Sequence, residues 1–189
     1  MKIVHTFGVT NDPDEGLWAL ELEGKVVNEY QAIFEIWRDP EIMYEFCVEN
    51  QEDLHRKFGY PIRPPDAADI MMDEADELEE MLMNLAKKKF PGTNLQQLFK
   101  PLDNNATALT ELQLSKGSIK NKRIRDPKLR IYAIRIAKNA YVFTGGAIKL
   151  TNRMEERPHT QEQLVRMINV RTWLKSQGIC YPEDLNALS

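Results

Sequence analysis

The stretch Leu129–Pro158, LRIYAIRIAKNAYVFTGGAIKLTNRMEERP, predicts two β-strands joined by a tight turn and followed by a basic segment. Residues alternate along its first part, so Arg130 and Tyr132 are expected on one face of the strand and Arg135 on the other. Asn139 suits the turn, because asparagine tolerates the positive φ that hairpins often need. We therefore expect a β-hairpin with an arginine on each face.

A pair of glycines, Gly145 and Gly146, falls inside the second predicted strand. Glycine in a strand marks either a β-bulge or a place where another group approaches the backbone closely. The sequence does not decide between the two, and both remain expectations.

Hydrophobic periodicity orders the rest of the chain. Leu17–Leu22 alternates as a strand, and Leu109–Leu114 is a second candidate strand. Helical spacing predicts a first helix near residues 30–37, one from Asp39 to Phe58, a long helix over residues 66–89, and a last helix after Pro158. Thr160 and Gln163 have the spacing of a capping box for the last helix.

This order predicts an α+β fold. We expect an antiparallel sheet of about four to five strands, packed against N-terminal helices and a C-terminal helix. A length of 189 residues fits a single α+β domain over residues 1–189. Residues 28–100 form a helical insert between the first strand and the C-terminal sheet.

Charge is distributed unevenly between the two halves of the chain. Residues 1–90 contain 9 Lys/Arg and 21 Asp/Glu, a balance of −12, whereas residues 91–189 contain 16 and 8, a balance of +8. A surface that faces a polyanion is one explanation. The other is a solvated basic loop whose counterion is the acidic long helix of the same chain.

Several classes of function lack support. Cys47 and Cys180 have no spacing typical of a disulfide framework or zinc site, and no His or Cys joins the acidic row of the long helix, so no metal site is expected. Signatures of nucleotide hydrolases, dehydrogenases and zinc proteases are missing, so no cofactor or small-molecule ligand is expected. No apolar run is long enough for a membrane span or signal peptide, which favours the cytoplasm.

The hairpin region resembles the core of the RelE/ParE/HigB toxins. The resemblance rests on Arg-aliphatic-Tyr at Arg130–Tyr132, the hairpin, and Gly-Gly-Ala-Ile-Lys-Leu-Thr-Asn before a helix that begins with proline. The usual family pattern ends in a glycine, a hydrophobic residue, two lysines and a threonine. The resemblance covers about thirty residues directly, and the order of secondary-structure elements is loosely similar over most of the chain. The acidic sequence pI is a departure from typical family members, which are basic.

The resemblance implies a metal-independent endoribonuclease that cuts messenger RNA on the ribosome by 2′-hydroxyl attack on phosphate. Arg130 matches the strand arginine of the family nucleases and Lys149 the first of the paired lysines, whereas Leu150 stands in place of the second. Tyr132 and His159 are the nearest candidates for proton transfer. For each of these two, an ordinary structural role is the alternative.

Further basic residues are candidates for binding RNA or for plain surface charge: Lys120, Arg123, Arg125, Arg135 and Arg153. The implied partners are an antitoxin protein and the ribosome with its messenger RNA. Two alternatives remain open at this point. One is a protein-binding module that has kept the fold and lost the chemistry, and the other is inhibition of DNA gyrase, as in ParE-type members.

Overall fold

The computed structural model describes residues 1–7, 15–106, 110, 112–151, 154–179, 181 and 184. The six strands are β1 (Lys2–Phe7), β2 (Glu15–Glu21), β3 (Phe99–Pro101), β4 (Gln113–Gly117), β5 (Leu129–Ala137) and β6 (Asn139–Ile148). The five α-helices are α1 (Glu29–Arg38), α2 (Pro40–Glu49), α3 (Gln51–Phe58), α4 (Pro64–Ala86) and α5 (Pro158–Ser176). The chain is therefore α+β, as the hydrophobic periodicity predicts.

The six strands form one mixed sheet in the order β1-β2-β6-β5-β4-β3. Neighbouring strands are antiparallel except β2 and β6, which are parallel. The expected sheet of four to five antiparallel strands is therefore confirmed in part, since the structure has one strand more and one parallel pair. Strand β1 was not predicted because only part of its pattern is apolar. The parallel pair was not predicted because α1 to α4 and three strands separate β2 from β6 along the chain.

Helices α1 to α4 cover one face of the sheet and account for most of the predicted insert. Their apolar side chains share a core with alternate residues of the central strands, including Ile131, Ala133 and Phe143. The predicted helix from Asp39 to Phe58 is two helices. Helix α2 ends at Glu49, and the side-chain amide of the next residue, Asn50, donates to the carbonyl oxygen of Phe46.

Helix α5 covers the other face of the sheet. Val170 and Leu174 pack on Ile134 and Val142, and Met167 packs on Tyr132. The predicted capping box does not form. Instead, the hydroxyl of Thr160 donates to the carbonyl oxygens of Met154 and Arg157, which ties the start of α5 to the turn before it.

Both explanations for the glycine pair hold. The register of β5 on β6 shifts between Tyr132 and Ala133, opposite Gly145, whose φ is +151°. A Cβ atom on Gly146 would lie 2.6 Å from the ring of Trp37 and 2.9 Å from Ile33. Glycine at this position lets α1 lie directly against β6.

A buried carboxylate fixes the start of β5. Glu74 of α4 accepts hydrogen bonds from the backbone N–H groups of Lys128 and Leu129, at 2.9 and 2.8 Å. Burial raises the pKa of Glu74, and the two backbone donors oppose that shift. Because Arg130 follows directly, this contact sets where the arginine emerges from the sheet.

Candidate functional site

The predicted hairpin forms, and Lys138 is its turn. The hairpin places Arg130 on the face of the sheet that α5 covers only in part. Arg130 pairs with Ala147 of β6, and the next residue on the same face of β5 is Tyr132, which pairs with Lys116 of β4. Paired residues in antiparallel strands point to the same side. Ala147 is small and Lys149 lies two residues further along the chain, so the side chains of Arg130, Lys116 and Lys149 gather in one place. We call these three residues the Arg130 cluster.

The pKa shifts of the two lysines are consistent with a cluster of like charges. The pKa of Lys149 is lowered mainly by burial and then by the positive charges of Arg130, Lys57 and Lys116, while the carboxylate of Glu156 acts in the opposite direction. The pKa of Lys116 is lowered by burial and by Arg130 as well. Like charges that are partly removed from water repel one another, so an anion placed among them would be strongly stabilised.

The two lysines are positioned by short contacts. The Lys116 ammonium donates to the carbonyl oxygen of Leu102 at 2.8 Å and to Oδ1 of Asn104 at 2.6 Å. The Lys149 ammonium donates to the carbonyl oxygen of Thr151 at 2.5 Å. Arg130 is half-buried, and its guanidinium makes no hydrogen bond or ion pair with any residue that the structure describes. Its planar fork is therefore not bonded to a described carboxylate, although Glu74 of α4 is near enough for the charge of Arg130 to lower the pKa of that carboxyl slightly.

Tyr132 is buried beside the Arg130 cluster and is not an exposed proton donor. Its ring is buried with Ala147, Met154 and Met167. Burial raises the pKa of Tyr132 to about 12, and its hydroxyl has no partner among the described residues. A phenol with a pKa this high keeps its proton near neutral pH, so it can donate a hydrogen bond but serves poorly as a base.

His159 is already committed to a structural contact. Its Nε2 lies 2.8 Å from the carbonyl oxygen of Ile148, and only a protonated nitrogen can bond to a carbonyl. The ring also packs edge-on against Phe46, with centroids 5.5 Å apart. The imidazole thus joins α5 to the end of β6 and to α2, and Nε2 is not available to move a proton at the cluster.

The other predicted RNA-binding residues do not join the Arg130 cluster. Lys120 and Arg125 are exposed in the connection between β4 and β5. Arg123 pairs with Asp73 and Glu77 of α4 at 2.7 and 2.8 Å, so the acidic helix is its counterion.

Two predicted cations lie elsewhere. Arg135 lies on the opposite face of β5, where its charge opposes the burial that raises the pKa of Tyr141. Arg153 falls outside the described residues. The predicted set of basic residues is therefore spread over both faces of the sheet.

Two cations near Lys149 were missed as site residues. Lys116 lies in β4, and its place depends on the register of β4 on β5, which no local pattern reveals. Lys57 comes from α3, and its Nζ atom pairs with Asp126 at 2.8 Å. Only the tertiary fold brings Lys57 near Lys149, and no sequence signal could have found it.

A cavity of about 340 Å³ opens next to Lys149. It is bordered by Leu150 and Thr151 after β6 and by side chains of α3, among them Lys57 and Arg56. Leu150 occupies the place where the resembled family has its second lysine. Beside Leu150, the cavity lining contains two cations from α3, Arg56 and Lys57, and three carboxylates, Asp53, Asp126 and Glu156.

Asp53 anchors α3 against the start of α5. Its carboxylate is buried and accepts hydrogen bonds from Arg157 at 2.6 and 2.8 Å and from Arg56 at 2.6 Å. Hydrogen bonding by Arg157 lowers the pKa of Asp53, against the opposing effect of burial. This pair fixes the wall of the cavity beside Lys149.

The Asp53 pair predicts acid sensitivity. Because the folded-state pKa of Asp53 is lowered, its stabilising contribution is complete above the unfolded value of about 4 and is lost as pH falls through the folded value. Urea unfolding should therefore show a steeper loss of stability below about pH 4 in the wild type than in Asp53→Asn. Asp66→Asn is the control, since Asp66 makes a similar but exposed pair with Arg63 and should flatten the acid slope less. Equal slopes for the wild type and Asp53→Asn would contradict the assignment.

Within the described residues, no group of three or more His, Cys, Asp or Glu side chains is arranged to hold a metal ion. In the same part of the chain, no helix has the length and apolar character needed to cross a membrane. No protein-family model matches the chain, and no significant match is found among curated proteins or solved structures. The functional argument therefore depends on the site itself.

Proposed function

We propose that this chain is a divergent RelE-like toxin of the cytoplasm, that it cuts messenger RNA on the ribosome at the Arg130 cluster, and that an antitoxin neutralises it. The observation that carries the proposal is the guanidinium of Arg130, which bonds to no described carboxylate and lies beside two partly buried lysines. Three cations that repel one another form a site suited to a phosphodiester.

The proposed reaction needs only RNA, protein and water. The 2′-hydroxyl of one nucleotide gives its proton to water as its oxygen attacks the adjoining phosphorus. The bond from phosphorus to the 5′-oxygen breaks, the 5′-oxygen takes up a proton, and the products carry a 2′,3′-cyclic phosphate and a 5′-hydroxyl. Arg130 would hold two phosphate oxygens and offset the charge that grows on them. The lowered pKa of Lys149 makes its ammonium a better acid, which suits protonation of the departing 5′-oxygen.

A second candidate is a binding module that holds an RNA phosphate or a protein without cutting anything. Two observations favour it. His159 is occupied by the carbonyl of Ile148, and Tyr132 retains its proton, so neither supplies a base for the 2′-hydroxyl. Leu150 also favours this candidate, because it stands where the resembled family has its second lysine. Binding of RNA without cleavage would select this candidate.

Controlled expression in a bacterium tests the leading proposal. Induction should stop growth and the incorporation of labelled amino acids within minutes, and co-expression of a cognate antitoxin should relieve the arrest. A DNA damage response with continuing translation would favour gyrase inhibition instead. Unchanged growth and translation, with folded protein present in the cell, would rule out the toxin proposal.

A further inference from the structure

A second cavity, of about 830 Å³, lies at the opposite end of the hairpin from the Arg130 cluster. Its walls are the hairpin turn Ala137–Asn139, the loop that follows α4, Glu15 at the start of β2, and Tyr181. Along β5 the turn lies about 25 Å from Arg130, at about 3.3 Å per residue. The volume is in the range of small-molecule sites, roughly 300 to 1,000 Å³.

Two exposed aromatic rings border this cavity. Phe90 is 54% exposed and Tyr181 is 61% exposed. Each is held by its backbone: the hydroxyl of Thr93 donates to the carbonyl of Phe90 at 2.6 Å, and the N–H of Tyr181 donates to Asp184 at 2.8 Å. Exposed aromatic rings provide flat surfaces on which a base can stack.

The charge around the cavity is positive. Lys88 and Lys138 line it, and the neighbouring Lys89 lies over the ring of Phe90. Two carboxylates offset part of this charge, since Glu15 pairs with Lys88 and Asp184 lies beside Tyr181. Lys138 is exposed at the tip of the hairpin, where it can reach an anion in the cavity.

A buried amide group completes the site. Asn139 is only 4% exposed, and its Oδ1 accepts the backbone N–H of Leu95 at 2.6 Å. This contact fixes the amide orientation, because only the oxygen can accept. The Nδ2 group is therefore a donor, and it has no partner among the described residues. Asn139 is one of the residues that line the cavity, but its Nδ2 atom is shielded from solvent, so an acceptor such as a base carbonyl or ring nitrogen would reach it only after a small movement of the side chain.

We propose that this cavity binds a nucleoside phosphate, either as a free nucleotide or as one unit of single-stranded RNA. The base stacks on Phe90 or Tyr181, an acceptor on the base or sugar meets Asn139, and the phosphate lies near Lys138. The proposal does not depend on the nuclease function, because none of these residues belongs to the Arg130 cluster.

Binding is measured by titration calorimetry with ATP, adenosine and inorganic phosphate, and by fluorescence anisotropy with a labelled oligouridylate. ATP should bind more tightly than adenosine or phosphate alone, since both parts of the ligand are recognised. Phe90→Ala or Tyr181→Ala should weaken ATP binding roughly fivefold to a hundredfold. Lys138→Ala should weaken ATP binding but not adenosine binding.

Matched controls come from the same chain. Tyr60, like Phe90, is 54% exposed, and Lys122 is an exposed lysine far along the chain from the cavity. Tyr60→Ala and Lys122→Ala should leave binding unchanged. Binding of ATP alone would identify a free nucleotide as the ligand, and comparable binding of the oligouridylate would identify RNA.

Two results would overturn the proposal. One is the absence of binding by both ATP and the oligouridylate to folded wild-type protein. The other is ATP binding that is lost in Arg130→Ala but retained in Phe90→Ala, Tyr181→Ala and Lys138→Ala, which would place the nucleotide at the Arg130 cluster. If the nuclease proposal fails, Arg130→Ala and the wild type should still bind ATP equally.

Discussion

Arg130→Ala is expected to lower messenger RNA cleavage on ribosomes by roughly a hundredfold to a thousandfold, the usual effect of removing one group that stabilises transition-state charge. Stability should change by less than about 1 kcal/mol, because the side chain is half-buried and bonds to no described residue. Arg130→Lys should restore only part of the rate, since an ammonium keeps the charge but not the two-pronged grip on phosphate.

The measurement is the rate of cleavage of a defined messenger in a translation extract, together with the urea midpoint of each variant. Arg125→Ala and Lys120→Ala are the controls, since each removes one exposed cation outside the cluster. They should leave the rate within a few-fold of the wild type. If Arg130→Ala cleaved the messenger as fast as these controls, Arg130 would not be part of the catalytic site.

Gly146→Ala is expected to destabilise the fold by about 3 kcal/mol, at the upper end of the usual cost of overpacking. The new Cβ atom would lie 2.6 and 2.8 Å from two atoms of the Trp37 ring and 2.9 Å from Ile33. Relief of those contacts requires that the side chains of Trp37 and Ile33, or α1 as a whole, move, and both side chains are buried in a packed core with little room to do so. The free energy of unfolding from urea titration is the measurement.

Gly59→Ala separates the clash from the general effect of adding a methyl group. Gly59 has a φ of +79° and open space where its Cβ would lie, so only backbone strain of about 1 kcal/mol is expected there. The double variant Gly146→Ala, Trp37→Leu should be less destabilised than the sum of the two single variants, because the smaller side chain relieves the clash. Strict additivity would show that Trp37 is not what opposes the methyl group.

The hairpin could be predicted because its information is local. Alternation predicts Arg130 and Arg135 on opposite faces of β5, and the paired glycines predict either a bulge or a close approach, both of which the structure shows. The parallel pairing of β2 with β6 was not predictable in this way, since it joins strands separated by the whole helical segment. Edge strand β1 was missed because only part of its pattern is apolar.

The candidate site was predicted only in part, for the same physical reason. Arg130 and Lys149 lie on one hairpin, so the sequence could associate them. Lys116 joins them through cross-strand register and Lys57 through helix packing, and neither relation leaves a local pattern. The sequence makes His159 a candidate for proton transfer, but the end of β6 offers a carbonyl to which its ring nitrogen donates.

The chemistry of the cut ends tests the central claim most directly. Ribosomes are programmed with a messenger that is cleaved at one position, and the fragments are analysed for their terminal groups. A 2′,3′-cyclic phosphate with a 5′-hydroxyl is predicted, and a single 2′-deoxy substitution at the cleaved nucleotide should abolish the cut. Cleavage that persists after that substitution, or no cleavage by folded protein, would contradict the assignment of the Arg130 cluster as a site of 2′-hydroxyl attack on phosphate.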